Sequence, residues 1–373
     1  MDAGVAAIIE WAVRGLILAY TCIQGWFLWR SYRKKPFRFS TLSHDLLPKV
    51  SVLVPARNEA HVIRRCLSCL DQLDYPTDRL EIIIGDDHST DATAKVVRQF
   101  IQNKKHFRLI SVGAPRGRAR AKANALAHLI ASATGEYYFI TDADMCVPST
   151  WIHALLQPLI ESPQIGMVSG VTLIEGRTCR SQWQSLEWLY FLSLLRFLPD
   201  TDITAIGNNM AIRKAAYESV GGYEHLPFSV TEDLTLYHAC RRRGWQHQFV
   251  FCPQSLGWTL PVFGKTLWRQ RKRWLQGVKQ LTLRIQTLFA LKAFFPIGII
   301  GCAMVAPLEA FLWWSINYVL QQLYIGRIAF QLNVKYRWIC RCSFEWYQYL
   351  SNAVMGLLFF IPSPVIWKDR KLH

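Results

Sequence analysis

With 51% hydrophobic and only 18% charged side chains over 373 residues, the chain is too apolar for an ordinary soluble enzyme and points to membrane segments. Its 43 Lys and Arg against 26 Asp and Glu give a net charge of +17, which fits nucleic acid, an anionic membrane surface or a phosphorylated substrate. Nucleic acid is set aside, because no recognition motif and no basic strand interleaved with aromatics occurs.

Residues 5–29 are mostly apolar and carry Trp11, Tyr20, Trp26 and Trp29, aromatics suited to a membrane boundary. Glu10 and Arg14 lie one helical turn apart and are placed to pair. Arg30, Arg33, Lys34, Lys35 and Arg38 follow without an acid, the pattern of a cytoplasmic flank. The basic cluster follows the apolar stretch, so residues 1–30 read as an uncleaved anchor and not as a signal peptide. The domain after them is then cytoplasmic.

From Lys49 onward, short β-rich runs alternate with helical stretches. Strands are expected at Val50–Val54, Leu80–Ile84, Phe107–Ile110 and Tyr137–Ile140, with a weaker fifth at Ile165–Ile174. Helices are expected at Ala60–Leu70, Ala92–Ile101, Ala119–Ala133 and Thr150–Ile160. This alternation predicts an α/β fold with a mostly parallel sheet, whose ligands bind at the carboxyl ends of the strands.

The polar residues fall at those ends. The first strand runs into Pro55-Ala-Arg-Asn-Glu59, the second into Gly85-Asp-Asp-His-Ser-Thr-Asp91 and the fourth into Asp142-Ala-Asp144. If the fourth strand stays extended, its period of two points Asp142 and Asp144 the same way, and their repulsion has to be offset by water, a cationic neighbour or a hard divalent cation. Ser89, Thr90 or Asp91 caps the next helix, which leaves the doubled Asp86 and Asp87 unexplained by capping.

The ten cysteines show no regular spacing and no disulfide framework, and a cytoplasmic domain keeps them reduced. Cys66 and Cys69 read as two packed thiols of one helix.

Further along, Thr231-Glu-Asp233 opens a helical run to Arg243. Helix Gln182–Leu198, rich in Trp and Leu, reads first as core packing. Lys265–Leu288 is a single amphipathic run, and Lys265–Arg284 carries seven cations and no acid, fitting a basic helix on anionic lipid. Phe294–Ile325 forms one span with an extension or two spans broken near Pro307 and Glu309. Met355–Trp367, extended back toward Tyr347, gives another, for two or three C-terminal spans in all.

Taken in order, Pro55-Ala-Arg-Asn-Glu59, Gly85-Asp-Asp-His-Ser-Thr-Asp91, Lys122-Ala-Asn-Ala-Leu126, Asp142-Ala-Asp144, Thr231-Glu-Asp233 and Gln270-Arg-Lys-Arg-Trp274 resemble the family 2 glycosyltransferases. The last motif resembles the membrane-embedded branch that includes polysaccharide synthases and ceramide glucosyltransferases.

The resemblance implies a Rossmann-like GT-A domain over residues 49–262 and an interfacial helix over 263–290. It leaves a C-terminal membrane region over 291–373. Pro55, Arg57, Glu59, Asp86, Asp87, Lys122, Asn124, Asp142, Gln270 and Arg273 then serve a nucleotide-sugar donor, with UDP-sugar the expected class. Asp142 and Asp144 hold Mg²⁺ or Mn²⁺, Asp233 is the base of an inverting transfer and Glu232 orients it. Trp274 meets a lipid or glycan acceptor, and Asn208 and Asn209 bind its hydroxyls or form a turn. The expected protein is multi-pass with a cytoplasmic catalytic domain, and no protein partner is inferred. A processive polysaccharide synthase and a catalytically inactive membrane scaffold are the competing functions.

Overall fold

The computed structural model describes residues 3–43, 47–197, 205–278, 281–360, 365–367 and 370–372. In chain order its elements begin with α1 (Ala3–Arg33), β1 (Val50–Ala56), α2 (Ile63–Leu70), β2 (Leu80–Asp86), α3 (Thr93–Ile101) and β3 (Phe107–Ser111). Next come α4 (Ala121–Ser132), β4 (Tyr137–Thr141), α5 (Trp151–Glu161), β5 (Ile165–Ser169), β6 (Val171–Ile174) and α6 (Cys179–Leu195). They continue with β7 (Asn209–Arg213), α7 (Lys214–Ser219), α8 (Gly222–His225), α9 (Glu232–Arg242), β8 (Gln246–Phe249) and β9 (Leu256–Thr259). The last helices are α10 (Gly264–Val278), α11 (Leu283–Val305), α12 (Pro307–Gln331), α13 (Trp338–Cys342) and α14 (Phe344–Phe360), after which β10 (Val365–Trp367) pairs with β11 (Arg370–Leu372).

The chain divides into two compact units. The α/β unit contains a seven-stranded sheet in the order β3-β2-β1-β4-β7-β5-β8. Strands β1 to β4 are mutually parallel, β7 runs antiparallel between β4 and β5, and β8 is parallel to β5. Val52, Ile82, Ile84, Phe139, Trp151 and Leu155 fill the core without measurable exposure. Strands buried on both faces read as the continuous apolar runs seen in the sequence.

The expected fifth strand is in fact two. It breaks at Gly170 into β5, in the main sheet, and β6, which pairs with β9 in a separate two-stranded sheet. A Cβ at Gly170 would stand 2.4 Å from the Asn209 side-chain oxygen and 2.7 Å from the Ser255 carbonyl, so only glycine fits the crossover. Helix α2 begins at Ile63, later than expected, because the amides of Val62 and Ile63 both turn back to the Glu59 carbonyl.

The helical unit contains α1, α6 and α10 to α14. Helix α6 runs from Cys179 and not from Gln182, capped by the Thr178 hydroxyl that accepts the Ser181 amide, and it buries Leu186, Leu189 and Leu192. Of the expected helix end, Leu198 lies outside the described residues. The single run expected over Lys265–Leu288 breaks: α10 stops at Val278, Thr282 is extended, and Ile285 and Leu288 belong to α11. Helices α11 and α12 meet at Ala306, with Pro307 in the first turn of the second, where its missing N–H costs nothing. Arg14 pairs with Glu10 at 2.7 Å and with Glu309 of α12 at 2.9 Å. Among the described residues, Ala7–Arg33 and Leu283–Val305 are long and apolar enough to cross a membrane.

Candidate active site

The fourth strand ends at Thr141, one residue short of the acidic pair. The extended geometry expected for Asp142 and Asp144 gives way to a turn, in which the Met145 amide donates to the Asp142 carbonyl at 3.1 Å. Ala143 and Met145 are buried and both aspartates stay half-exposed, so the pair still faces outward. Lys122, in the first turn of α4, offsets their charge. Its ammonium lies 2.7 Å from Asp142 and 3.1 Å from Glu232. Burial alone would lower the lysine pKa, but Asp142 and Glu232 more than reverse this and hold it well above the usual lysine range. The Asp144 carboxylate accepts the Thr259 hydroxyl at 2.9 Å.

Glu232 and Asp233 open α9. The Asp233 carboxylate accepts the Gly207 amide at 2.8 Å on one oxygen and the Leu234 amide at 2.9 Å on the other. A Cβ at Gly207 would meet that carboxylate at 2.7 Å, so glycine is what permits the approach. Burial, and then the neighbouring Glu232, push the Asp233 pKa up to about 6, against the pull of Lys122 and the two amides. A carboxylate tuned toward neutrality beside a lysine and a second acid is suited to accepting a proton.

Around the rim, the Arg57 guanidinium donates to the carbonyls of Asp87 at 2.5 Å and His88 at 3.2 Å, and its Nε is buried with no partner among the described residues. Pro55 lies within β1, and Glu59 follows in the same loop, its amide donating to the Thr93 hydroxyl at 2.8 Å. Asp86 ends β2 and accepts the Ser89 amide at 3.3 Å, whereas Asp87 is buried. The N-cap of α3 is Ala92, with no side-chain cap, so the expected cap is not formed; Asp91, one residue earlier, accepts the Thr93 amide at 2.9 Å.

Two of the expected ligand residues make hydrogen bonds within the fold. The buried Asn124 amide holds the loop before α4, accepting the Arg116 amide at 2.9 Å and donating to the Gly113 carbonyl at 3.3 Å. Asn209 is wholly buried. It accepts the Trp151 indole N–H at 2.8 Å and donates to the carbonyls of Val171 at 2.7 Å and Ser255 at 2.9 Å. Asn208 accepts the Thr172 hydroxyl at 2.9 Å. Gln270, Arg273 and Trp274 lie on α10 in the helical unit, where Trp274 stacks on Trp188 of α6 with ring centroids 4.6 Å apart. Arg271, between them in sequence, is buried against Glu187, which also accepts the hydroxyls of Tyr347 at 3.1 Å and Ser351 at 2.7 Å.

The sequence reading missed the residues that hold the acidic turn. Arg65 of α2 donates to the Asp144 carbonyl at 3.0 Å and to the Trp258 carbonyl at 3.4 Å, and it pairs with Glu175. Cys69 is not a reduced, packed thiol: it is bonded to Cys146. Cys66 is a buried thiol, as expected. Nothing local signals these contacts, because their partners lie 77 to 193 positions away.

Among the described residues no group of three or more His, Cys, Asp or Glu side chains is arranged to hold a metal ion. Asp142 and Asp144 fit a hard divalent cation nonetheless: they are half-exposed oxygen donors, and Mg²⁺ is typically held by one or two carboxylates with water and substrate phosphate completing its shell.

A parallel sheet whose carboxyl rim gathers acids and a lysine is the GT-A glycosyltransferase plan, and the fold matches a solved example. The mannosyltransferase PcManGT from Pyrobaculum calidifontis, in complex with GDP-Man and Mn²⁺, superposes with a TM-score of 0.58 at 22% identity, covering 87% of this chain and 98% of that one. The chain belongs to the family 2 glycosyltransferases, matching the Glycosyl transferase family 2 model over residues 51–221 and the Glycosyl transferase family group 2 model over residues 139–361.

Among its relatives, the probable glycosyltransferase YdaM of Bacillus subtilis is 30% identical over 65% of this chain and 58% of its own length. Poly-beta-1,6-N-acetyl-D-glucosamine synthase of Staphylococcus epidermidis is 28% identical over 68% of this chain and 60% of its own length. Beta-monoglucosyldiacylglycerol synthase of Synechocystis is 28% identical over 62% of this chain and 48% of its own length. The chain thus spans about half of these relatives.

Proposed function

We propose that this glycosyltransferase moves a sugar, with inversion at the anomeric carbon, from a nucleotide-diphosphate donor to a lipid or lipid-linked acceptor at the cytoplasmic face of a membrane. The observation that carries the proposal is Lys122 held between Asp142 and Glu232, with Asp233 beside them tuned upward to about 6. Departure of a nucleoside diphosphate builds negative charge, and the acceptor hydroxyl must lose its proton as it attacks. Asp233, fixed by the Gly207 and Leu234 amides, takes that proton. Lys122 keeps Asp142 and Glu232 at a set spacing, and Glu232 orients the base. Mg²⁺ or Mn²⁺, when bound at Asp142 and Asp144, supplies neutralisation of the diphosphate and Lewis-acid polarisation.

Arg57 and Asp87 border the nucleoside, for which the resemblance indicates UDP. The roles of Gln270, Arg273 and Trp274 rest on the resemblance alone. The lipid acceptor draws support from the two membrane-length helices and from the relative named as a monoglucosyldiacylglycerol synthase. Processive polymerisation is the second reading, favoured by the poly-N-acetylglucosamine synthase relative.

The test is transfer from labelled UDP-glucose, UDP-N-acetylglucosamine and GDP-mannose by the purified protein in lipid nanodiscs containing diacylglycerol, with and without Mn²⁺. A single-sugar glycolipid is expected, and a ladder of long glycans would establish the processive alternative. Asp144→Ala and Asp233→Asn are each expected to lower turnover about 10³-fold, on the scale of lost electrostatic or general-base assistance. Rates equal to wild type in both variants would overturn the assignment.

A further inference from the structure

One face of α2 holds the acidic turn at alternate positions. The Cys66 thiol lies 3.6 Å from the Asp142 carbonyl, Arg65 donates to the Asp144 carbonyl at 3.0 Å, and Cys69 is bonded to Cys146. Residues 65, 66 and 69 share a helix face, and residues 142, 144 and 146 are their targets. Arg65 does more than touch the turn. The same guanidinium reaches the Trp258 carbonyl at 3.4 Å and pairs with Glu175. Trp258 exchanges two main-chain hydrogen bonds with Cys146, each 2.8 Å, and its neighbour Thr259 donates to the Asp144 carboxylate. Arg65, the Cys146–Trp258 bridge and Thr259 therefore close a ring around Asp144, and the Cys69–Cys146 bond ties that ring to α2.

We propose that this face of α2 sets the geometry of the acidic pair: Arg65 is a positioning residue, and the Cys69–Cys146 bond is a thiol-reversible tether on the same turn, so that affinity for cation and donor depends on thiol redox state. The proposal rests on the reading of Asp142 and Asp144 as the cation-holding residues. Lysine cannot replace Arg65, because one ammonium does not span carbonyl, carbonyl and carboxylate as the planar fork does. Cys69 and Cys146 are both half-exposed, which gives a small thiol access, whereas Cys66 and Cys240 are buried thiols. In the reductive step a dithiol such as dithiothreitol supplies two electrons and two protons. The S–S bond breaks, Cys69 and Cys146 become thiols, and the reductant closes into a cyclic disulfide.

The experiment measures Mn²⁺ binding in the presence of UDP by the electron paramagnetic resonance signal of free Mn²⁺, using the full chain in nanodiscs. Oxidised and dithiothreitol-reduced wild type are compared with Cys69→Ser, Arg65→Lys and Asp144→Ala, with thermal unfolding followed in parallel. Removing a partner that supports a ligand typically weakens metal binding about 10- to 100-fold. Arg65→Lys is therefore expected to weaken Mn²⁺ binding about tenfold, at the lower end of that range.

Reduction leaves Arg65 in place and is expected to weaken binding about threefold, a smaller loss of the same kind. Cys69→Ser should match reduced wild type and respond no further to dithiothreitol. Reduction of the wild type keeps the comparison valid even where a variant folds poorly. Binding that is lost in Asp144→Ala but unchanged by reduction and by Arg65→Lys would overturn the positioning role alone. Binding that Asp144→Ala leaves intact would instead refute the cation site on which it rests.

Discussion

Lys122 is the residue on which the charges of the rim balance. It touches Asp142 and Glu232, and its field also reaches Asp233. The residue before it, Ala121, has φ +51°, a left-handed conformation that costs an alanine about 1 kcal/mol and persists where surrounding contacts over-determine it. As a base, Asp233 acts only as the carboxylate. With its pKa raised to about 6, activity is expected to fall as pH drops through that value, since protonation removes the acceptor of the hydroxyl proton. In Lys122→Met the stabilising cation is gone, so the acid limb of the kcat/KM profile, which reports the free enzyme, should move above pH 6. A limb that stays in place would separate Lys122 from the base.

The residue types at strand ends made this much legible: acids clustered after β2 and β4 are not explained by an apolar core. The hydrogen bonds of Asn124 and Asn209 were not legible, because an amide's partners are set by the groups the fold brings around it. For Asn209 those partners come from positions 151, 171 and 255.

At the scale of elements, the junction of the two sheets is the most exacting part of the α/β unit. Gly170 turns the chain from β5 to β6 against Asn209, whose side chain joins α5, β6 and the approach to β9. Asn209→Ala removes the hydrogen bonds that its side chain makes to a buried indole N–H and two carbonyls, and a loss of about 3 kcal/mol is expected, read from denaturant unfolding. Gly170→Ala should cost at least about 2 kcal/mol through overlap with backbone and a saturated amide. Neither substitution touches the acids, so nucleotide affinity in the folded fraction should be retained.

Sequence periodicity located β1 to β4 and their helices because strand and helix periods alternate cleanly there. It failed at Gly170, where two short strands share one apolar run. It also failed between α10 and α11, where Leu281, Ile285 and Leu288 continue a 3.6-residue repeat across a break. Periodicity records which side chains are apolar, and a break that keeps phase leaves no trace in it.

For the whole molecule, the positive charge and the apolar helices describe the same environment. Helix α12 is reversed relative to a soluble helix: Asn317 and Gln321 are buried while Leu308, Phe311, Leu312, Val319 and Leu323 are exposed. Averaged hydropathy does not record that the buried polar residues of such a helix face neighbouring helices. Asn317 donates to Thr21 of α1 at 2.7 Å, and Gln321 donates to Gln348 of α14 at 2.7 Å. Membranes containing the full chain are expected to retain it through alkaline carbonate washing and release it only to detergent. Release by carbonate would place the protein on the surface of the bilayer instead.

The bond between Cys69 and Cys146 also acts on the chain before it is folded. It joins positions 77 residues apart, and the enclosed segment contains β2, β3 and β4 with α3 and α4. Closing a loop of that length removes about 4 kcal/mol of conformational freedom from the denatured ensemble in the chain-entropy description. Strand β1 and strands β5 to β9 lie outside the loop. The oxidised protein therefore carries its covalent reinforcement on β2, β3 and β4, and stability is distributed unevenly across the sheet. Hydrogen exchange should show it: reduction is expected to speed exchange in β2 to β4 more than in β7 and β8, leaving a domain whose strands open on different schedules.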